Sequence, residues 1–202
     1  MVWINGENFY NAKKLDLLTG PLNGQLLPNF KRYISTSDPD VKRDMNTTID
    51  QLEVPYGNAQ MVMIGSRQMF NGDYPTSANE LLAWAKKNPG KLTYVAPPDF
   101  TGSAFVRNII YEVVGYEAVN NAPATKAGLY KAIKPGLDYL NELKPYLWQQ
   151  GKTYPKTTAQ LDKMFADHQV ALDFYYNQMY AATQKDACQF TDVAVTFVLD
   201  KV

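Results

Sequence analysis

Apolar positions in this chain fall into short continuous runs and into sets spaced three or four apart, and the two kinds alternate. Met61-Val62-Met63-Ile64 is an apolar run of strand length. Residues 91–96 set Leu92 and Tyr94 against Thr93 and Val95 and read as a strand, which Pro97-Pro98 breaks. Residues 170–174 and 193–199 read as further strands. Trp3-Ile4 reads as the end of another, running into the turn signal Asn5-Gly6-Glu7-Asn8.

Helical spacing fills the intervals. Residues 9–18 form a helical stretch closed by Gly20-Pro21. Ser77 and Glu80 stand as a capping box before Leu81, Leu82, Trp84 and Ala85, and Asn88-Pro89-Gly90 stops that helix. Phe105, Ile109 and Val113 recur every four residues in a helix that begins at Thr101-Gly102-Ser103 and ends at Gly115. Leu129, Ile133, Leu137, Leu140 and Leu143 continue the period, with Pro135 expected to split the stretch as the first residue of a second helix. Thr157 and Gln160 form another capping box before Leu161, Met164 and Phe165. Strands alternating with helices predict an α/β fold with a mainly parallel sheet flanked by helices. The irregular stretch at residues 23–56 is the expected boundary: 1–53 belong to one unit, 54–202 to a second of ordinary domain size.

Composition narrows the function. The chain has 202 residues, 46% hydrophobic and 20% charged, which suffices for a buried core. Twenty basic residues balance twenty acidic ones, so no nucleic-acid partner is expected. No run approaches the ~20 apolar residues that span a bilayer. Cys188, the single cysteine, reads as a half-buried small residue, and His168, the single histidine, as part of a helix-ending turn. One His and one distant Cys make no metal cluster, so neither metal nor cofactor is expected. The glycines match neither a phosphate-binding loop nor a dinucleotide fingerprint, and there is no Gly-x-Ser-x-Gly nucleophile elbow. No catalytic constellation emerges, and an enzyme is not expected. A structural or interaction module that docks on a membrane protein without binding a small molecule is the competing class.

Three loops next to strand ends carry the candidate chemistry, because open α/β sheets bind ligands at the carboxyl ends of their strands. The first holds Trp3, Asn5 and Glu7, the second Asp99, Thr101, Gly102 and Ser103, the third Tyr176 and Asn177. In the second, free N–H groups at a helix start suit an anionic or polar ligand group, with Gly102 leaving room for close approach. Asp99 competes: as a cap it would fill those N–H groups and favour a cation or hydroxyl. Plain capping by Thr101 or Ser103 is the bland alternative. The tyrosines of residues 175–180 fit a ligand slot or core packing equally well. Trp84 is expected in the core and Trp3 at a cleft.

Pro97-Pro98-Asp99-Phe100-Thr101-Gly102-Ser103-Ala104-Phe105-Val106-Arg107, together with Val2-Trp3-Ile4-Asn5-Gly6-Glu7-Asn8-Phe9, closely resembles the YnjB-like substrate-binding proteins of ABC uptake systems. Val54-Pro55-Tyr56-Gly57, the stretch from Trp84 to Lys91 and Tyr146-Leu147-Trp148 extend the resemblance across nearly the whole chain. It implies the type II periplasmic-binding-protein fold, two α/β lobes with solute held in the cleft between them, at the periplasmic or other extracytoplasmic face. It also implies two partners, a small solute and the membrane permease subunits of the transporter. Such proteins are longer, so residues 1–53 are expected to be part of a first lobe and 54–202 the crossing strand and most of the second. Much of one cleft wall would then lie outside the chain. The resemblance would place a glycine and an acidic residue at His168-Gln169, small residues at Asp173 and Tyr175, and proline at Gln178. The chain departs from it at all five.

Overall fold

The computed structural model describes residues 2–23, 26–45, 47–57, 59–190 and 194–200. Its backbone divides into two compact units, Met1–Asn58 and Ala59–Val202.

In the first unit, α1 (Gly6–Lys14) is followed by the short α2 (Phe30–Tyr33), a 3₁₀ turn at Pro39–Lys42, and the antiparallel pair β1 (Arg43–Asp44) and β2 (Thr47–Thr48). α1 starts earlier and ends sooner than the apolar pattern predicts. Both ends are fixed from outside the helix: the Asp44 carboxylate accepts the Gly6 N–H at the start, and the Lys13 ammonium near the end donates to the Thr48 carbonyl and the Asp50 carboxylate. Phe9 is its buried anchor. Trp3 and Ile4 belong to no strand.

The second unit is built on a three-stranded sheet of β3 (Val62–Ser66), β4 (Leu172–Tyr175) and β5 (Ala194–Phe197) in the order β4-β3-β5. Both pairings are antiparallel, with Ile64 opposite Asp173 on one side and Thr196 on the other. The α/β class stands, but the expected parallel pairing does not describe these strands. Apolar runs mark a strand as buried and leave its direction open. Residues 91–96 are extended and buried at Leu92, Thr93 and Val95, yet belong to no strand. Their carbonyls and amides bond to single residues instead: Trp148 N–H to Leu92 C=O at 2.7 Å, Ala171 N–H to Lys91 C=O at 2.8 Å, and Ala96 N–H to Pro155 C=O at 2.8 Å.

Helices cover the sheet. α3 (Arg67–Phe70) follows β3 directly. α4 (Ala78–Lys87) is capped by Ser77, whose hydroxyl accepts the Glu80 N–H at 3.3 Å while Glu80 reaches back to the Thr76 N–H at 2.8 Å. Then come α5 (Phe100–Val114), α6 (Tyr116–Asn120), α7 (Lys126–Leu143), 3₁₀ turns at Lys144–Tyr146 and Trp148–Gly151, α8 (Thr158–Ala166) and α9 (Tyr180–Asp186). The second expected capping box also forms, Thr157 Oγ1 accepting from Gln160 N–H and Gln160 Oε1 from Lys156 N–H. Pro135 does not split its helix: α7 runs through it, with the ring on the exposed side and Gly136 pressed against Ile110 of α5. That packing holds the helix together across the one missing donor.

The core gathers Ile64, Leu81, Leu92, Phe105, Ile109, Leu143, Leu161 and Phe174, all fully buried. Trp84 is half-buried and packs on Phe70 with ring centroids 4.3 Å apart, at the margin of the core rather than inside it. Cys188 is exposed, in a left-handed turn after α9, which corrects the half-buried expectation. His168 does occupy a turn closing α8, with φ 56° and its N–H on the Phe165 carbonyl.

Candidate functional site

Trp3, Asn5 and Glu7 lie in the first unit at the start of α1. Trp3 is 70% exposed and meets Tyr56, 88% exposed, edge to face at 4.8 Å. Asn5 holds the N-cap position with extended backbone, and its carbonyl accepts from Asn8 and Phe9 while its side chain makes no cap bond. Glu7 is exposed in the first turn. The fully exposed Tyr56 was quoted in the sequence only as part of a matching string. Its signal as a surface aromatic is its place beside Pro55 and Gly57.

Also in the first unit, Glu53 is half-buried beside Asp44, and its Oε2 is buried without a hydrogen-bond partner. Burial first, and the Asp44 charge second, push its carboxyl up to about 7.

In the second unit the remaining candidates converge. Asp99 caps α5: its Oδ1 accepts from the Thr101 N–H at 2.8 Å and the Gly102 N–H at 3.3 Å, and its carbonyl accepts from Ser103. The helix start therefore has its first donors filled from within. The cap is Asp99, and neither Thr101 nor Ser103 plays that part. Thr101 is buried, its hydroxyl 3.4 Å from that of Thr158 on α8, and Ser103 is half-buried. Gly102 leaves room for the chain itself: a Cβ built there would stand 1.9 Å from the Val95 carbonyl oxygen. Close approach of backbone explains this glycine.

The loop after β4 reaches the same place. The Tyr176 ring lies 5.3 Å from the ring of Phe100, which is 58% exposed. The Tyr176 hydroxyl is buried without a hydrogen bond of ordinary geometry. Burial raises its pKa, while the Thr101 side chain and the Arg107 charge act to lower it and Asp99 to raise it. Asn177 is exposed and folds its Oδ1 back onto the Met179 N–H at 2.8 Å, a turn-forming contact. The second and third loops thus meet through Phe100 and Tyr176, beside charges of opposite sign on Asp99 and Arg107. Phe100 and Arg107 stood in the sequence string without being singled out. An aromatic at the first helical position after a cap was the available signal.

Beneath this loop lies a polar group that the sequence reading missed as a set. Asp173, wholly buried on β4, bonds through Oδ1 to the Phe174 N–H at 2.8 Å. Asp162 on α8 accepts the Tyr180 hydroxyl on Oδ2 at 2.8 Å. Tyr180 in turn stacks on Tyr175 at 3.5 Å. A cleft of about 410 Å³ opens between α8 and α9 and is lined in part by Asp162, Lys163, Gln184 and Phe190. It contains none of the residues expected to bind ligand. Among the described residues no group of three or more His, Cys, Asp or Glu is placed to hold a metal ion. No helix among them is long and apolar enough to cross a membrane.

Residues 1–201 match the family model for the bacterial extracellular solute-binding proteins. Protein YnjB of Escherichia coli (strain K12) is 35% identical over 182 residues, which is 90% of this chain and 46% of that protein. Among solved structures, the bacterial solute receptor AcbH, described as having an exclusive preference for β-D-galactopyranose, superposes with a TM-score of 0.58 at 16% identity. The match covers 99% of this chain and 51% of the receptor. That likeness is one of fold. The chain spans about half the length of the relatives it matches.

Proposed function

We propose that this chain, which belongs to the bacterial extracellular solute-binding family, captures a small solute at the extracytoplasmic face of the cell and delivers it to the permease subunits of an ABC-type uptake transporter. The observation that carries the reading is the family match over residues 1–201, with no part of either unit left outside it. The surface assigned to the solute in the second unit is the meeting of the α5 start with the loop after β4: Asp99 and the Phe100 and Tyr176 rings, with Asn177 at the rim. In the first unit Trp3, Asn5 and Glu7 present exposed aromatic and polar groups of the kind that hold a solute. The chain is read as a transport component that turns over no substrate, located in the periplasm.

The test is to purify the protein natively, with whatever sequence flanks residues 1–202, and identify released small molecules by mass spectrometry. A released compound, added back, is expected to raise Tm with concentration as mass action requires, by about 2.7 kcal/mol of stability at a hundredfold excess over Kd. Chemical conversion of that compound, or a Tm indifferent to every released compound, overturns the reading.

A further inference from the structure

We propose that Asp162 and Asp173 form a buried carboxylic acid–carboxylate pair that keeps one proton at neutral pH and, through Tyr180, positions the loop carrying Tyr176 and Asn177. The case begins with unpaired atoms. Asp173 is 0% exposed and uses Oδ1 on the Phe174 N–H, leaving Oδ2 buried and without a donor. Asp162 uses Oδ2 on the Tyr180 hydroxyl and leaves Oδ1 equally buried and without a donor. The two side chains lie within hydrogen-bonding reach of each other. Two ionised carboxylates can only accept, so the contact would set two negative charges together in a dry interior. One proton resolves both deficits: Asp173 Oδ2–H donates to Asp162 Oδ1, and every oxygen of the pair then has a partner. The proton belongs on Asp173, the more deeply buried of the two, and burial followed by the Asp162 charge raises its pKa well above the ordinary carboxylate range.

The surroundings leave the proton as the occupant. The groups packed against the pair are Asp162 from α8, Tyr180 from α9 and Tyr175 from β4. Ile64, opposite Asp173 on β3, brings no charge. Lys163 and Asp167 of α8 are spent on each other at the exposed side. A metal would need further ligands of a kind not gathered there among the described residues.

The consequence is positional. Tyr180 is the first residue of α9, and residues 176–179 connect it to β4. Its hydroxyl ties that end of the loop to Asp162 while its ring stacks on Tyr175, and Gln178 C=O accepts from Thr196 Oγ1 at 3.2 Å. Loss of the shared proton puts two like charges between β4 and α8 and loosens this anchorage. The importance of that loop for solute rests on the solute-binding reading; the proton itself does not.

Infrared difference spectroscopy of the folded protein at neutral pH tests the proton directly. The wild type is expected to show the C=O stretch of a buried protonated carboxylic acid. Asp173→Asn should lose the band, and Tyr180→Phe should keep it while amide exchange in residues 176–180 accelerates at least tenfold. Absence of the band in the wild type, or its survival in Asp173→Asn, overturns the pair. Should Asp173→Asn fail to fold, Asp162→Asn must remove or shift the same band. Unchanged exchange in Tyr180→Phe overturns the anchoring role. None of these readings needs a solute, so they stand apart from the mass-spectrometric test of function.

Discussion

Gly102→Ala separates a glycine that a ligand approaches from one that the chain itself approaches. The added methyl would lie 1.9 Å from the Val95 carbonyl oxygen, 2.7 Å from its carbon and 3.3 Å from the Ala96 carbonyl carbon. Ordinary contact needs about 3.5 Å, so the start of α5 and the extended segment must part by roughly 1.6 Å. Both partners are backbone, so no rotamer can relieve the clash. Overpacking of this kind costs about 1–3 kcal/mol and sometimes more. The same displacement pulls the Thr101 and Gly102 N–H groups off Asp99, a cap worth a further ~0.5–2 kcal/mol. The expected loss is about 4 kcal/mol, in the range reserved for a named structural fault. Urea unfolding followed by circular dichroism reads it as a fall in midpoint at unchanged slope. Ser103→Ala, one residue on and half-buried, is the control and should cost less than about 1 kcal/mol. A Gly102→Ala loss below about 1 kcal/mol would refute the packing argument and return the glycine to the solute.

Three further outcomes follow from the same geometry. Trp84→Ala should cost about 2–3 kcal/mol by denaturant titration, under the ~3–5 kcal/mol of a fully buried aromatic, because its ring is only half-buried on Phe70. Trp3→Ala should change stability by less than about 0.5 kcal/mol while weakening solute binding by calorimetry, since the side chain is largely in water. For Glu53 the folded pKa, about 7, lies above the ordinary 4.5, so the folded state holds the proton more tightly than the unfolded one between these values. Stability should fall as pH rises from about 4.5 through 7 and then level off, and Glu53→Gln should abolish that part of the slope in pH-dependent Tm measurements.

What could be read from the sequence was the information carried within four or five residues. Ser77 with Glu80 and Thr157 with Gln160 form caps because donor and acceptor are placed by the helix they open, with no help from elsewhere in the chain. Asp99 was visible as a possible cap, and its two N–H contacts decide a competition that local pattern left open. Pro135 misled for the opposite reason: its cost is local, but Gly136 against Ile110 holds α7 in place from another helix. The antiparallel pairing of β3 with β4 and β5 was hidden because buried strands look alike in either direction. Residues 91–96 have strand character, but their partners are Trp148, Pro155 and Ala171, three separate segments that no periodicity announces. Asp173 stood out as a charge in an apolar run, a departure where the YnjB-like resemblance would place a small residue. Its meaning came only with Asp162, which the fold brings to it from α8.

The α5 start shows how far local chemistry is absorbed by the fold before any solute arrives. A helix of fifteen residues ordinarily offers its first N–H groups to an anion. Here one carboxylate oxygen takes two of them, the Asp99 carbonyl takes a third, and the only glycine is closed by Val95. A negatively charged group approaching this end would meet a negative charge already in place, with the positive end of the helix dipole spent on it. What remains outward is the Phe100 ring, packed on Tyr176 and flanked by Asp99 and Arg107. Aromatic faces bind the apolar face of a neutral ring or a cation, and do so without free backbone donors. The residues most readily assigned to a ligand from the sequence, Thr101 and Gly102, are therefore those that build the wall. The one passed over, Phe100, is the part of that wall left for a solute to touch.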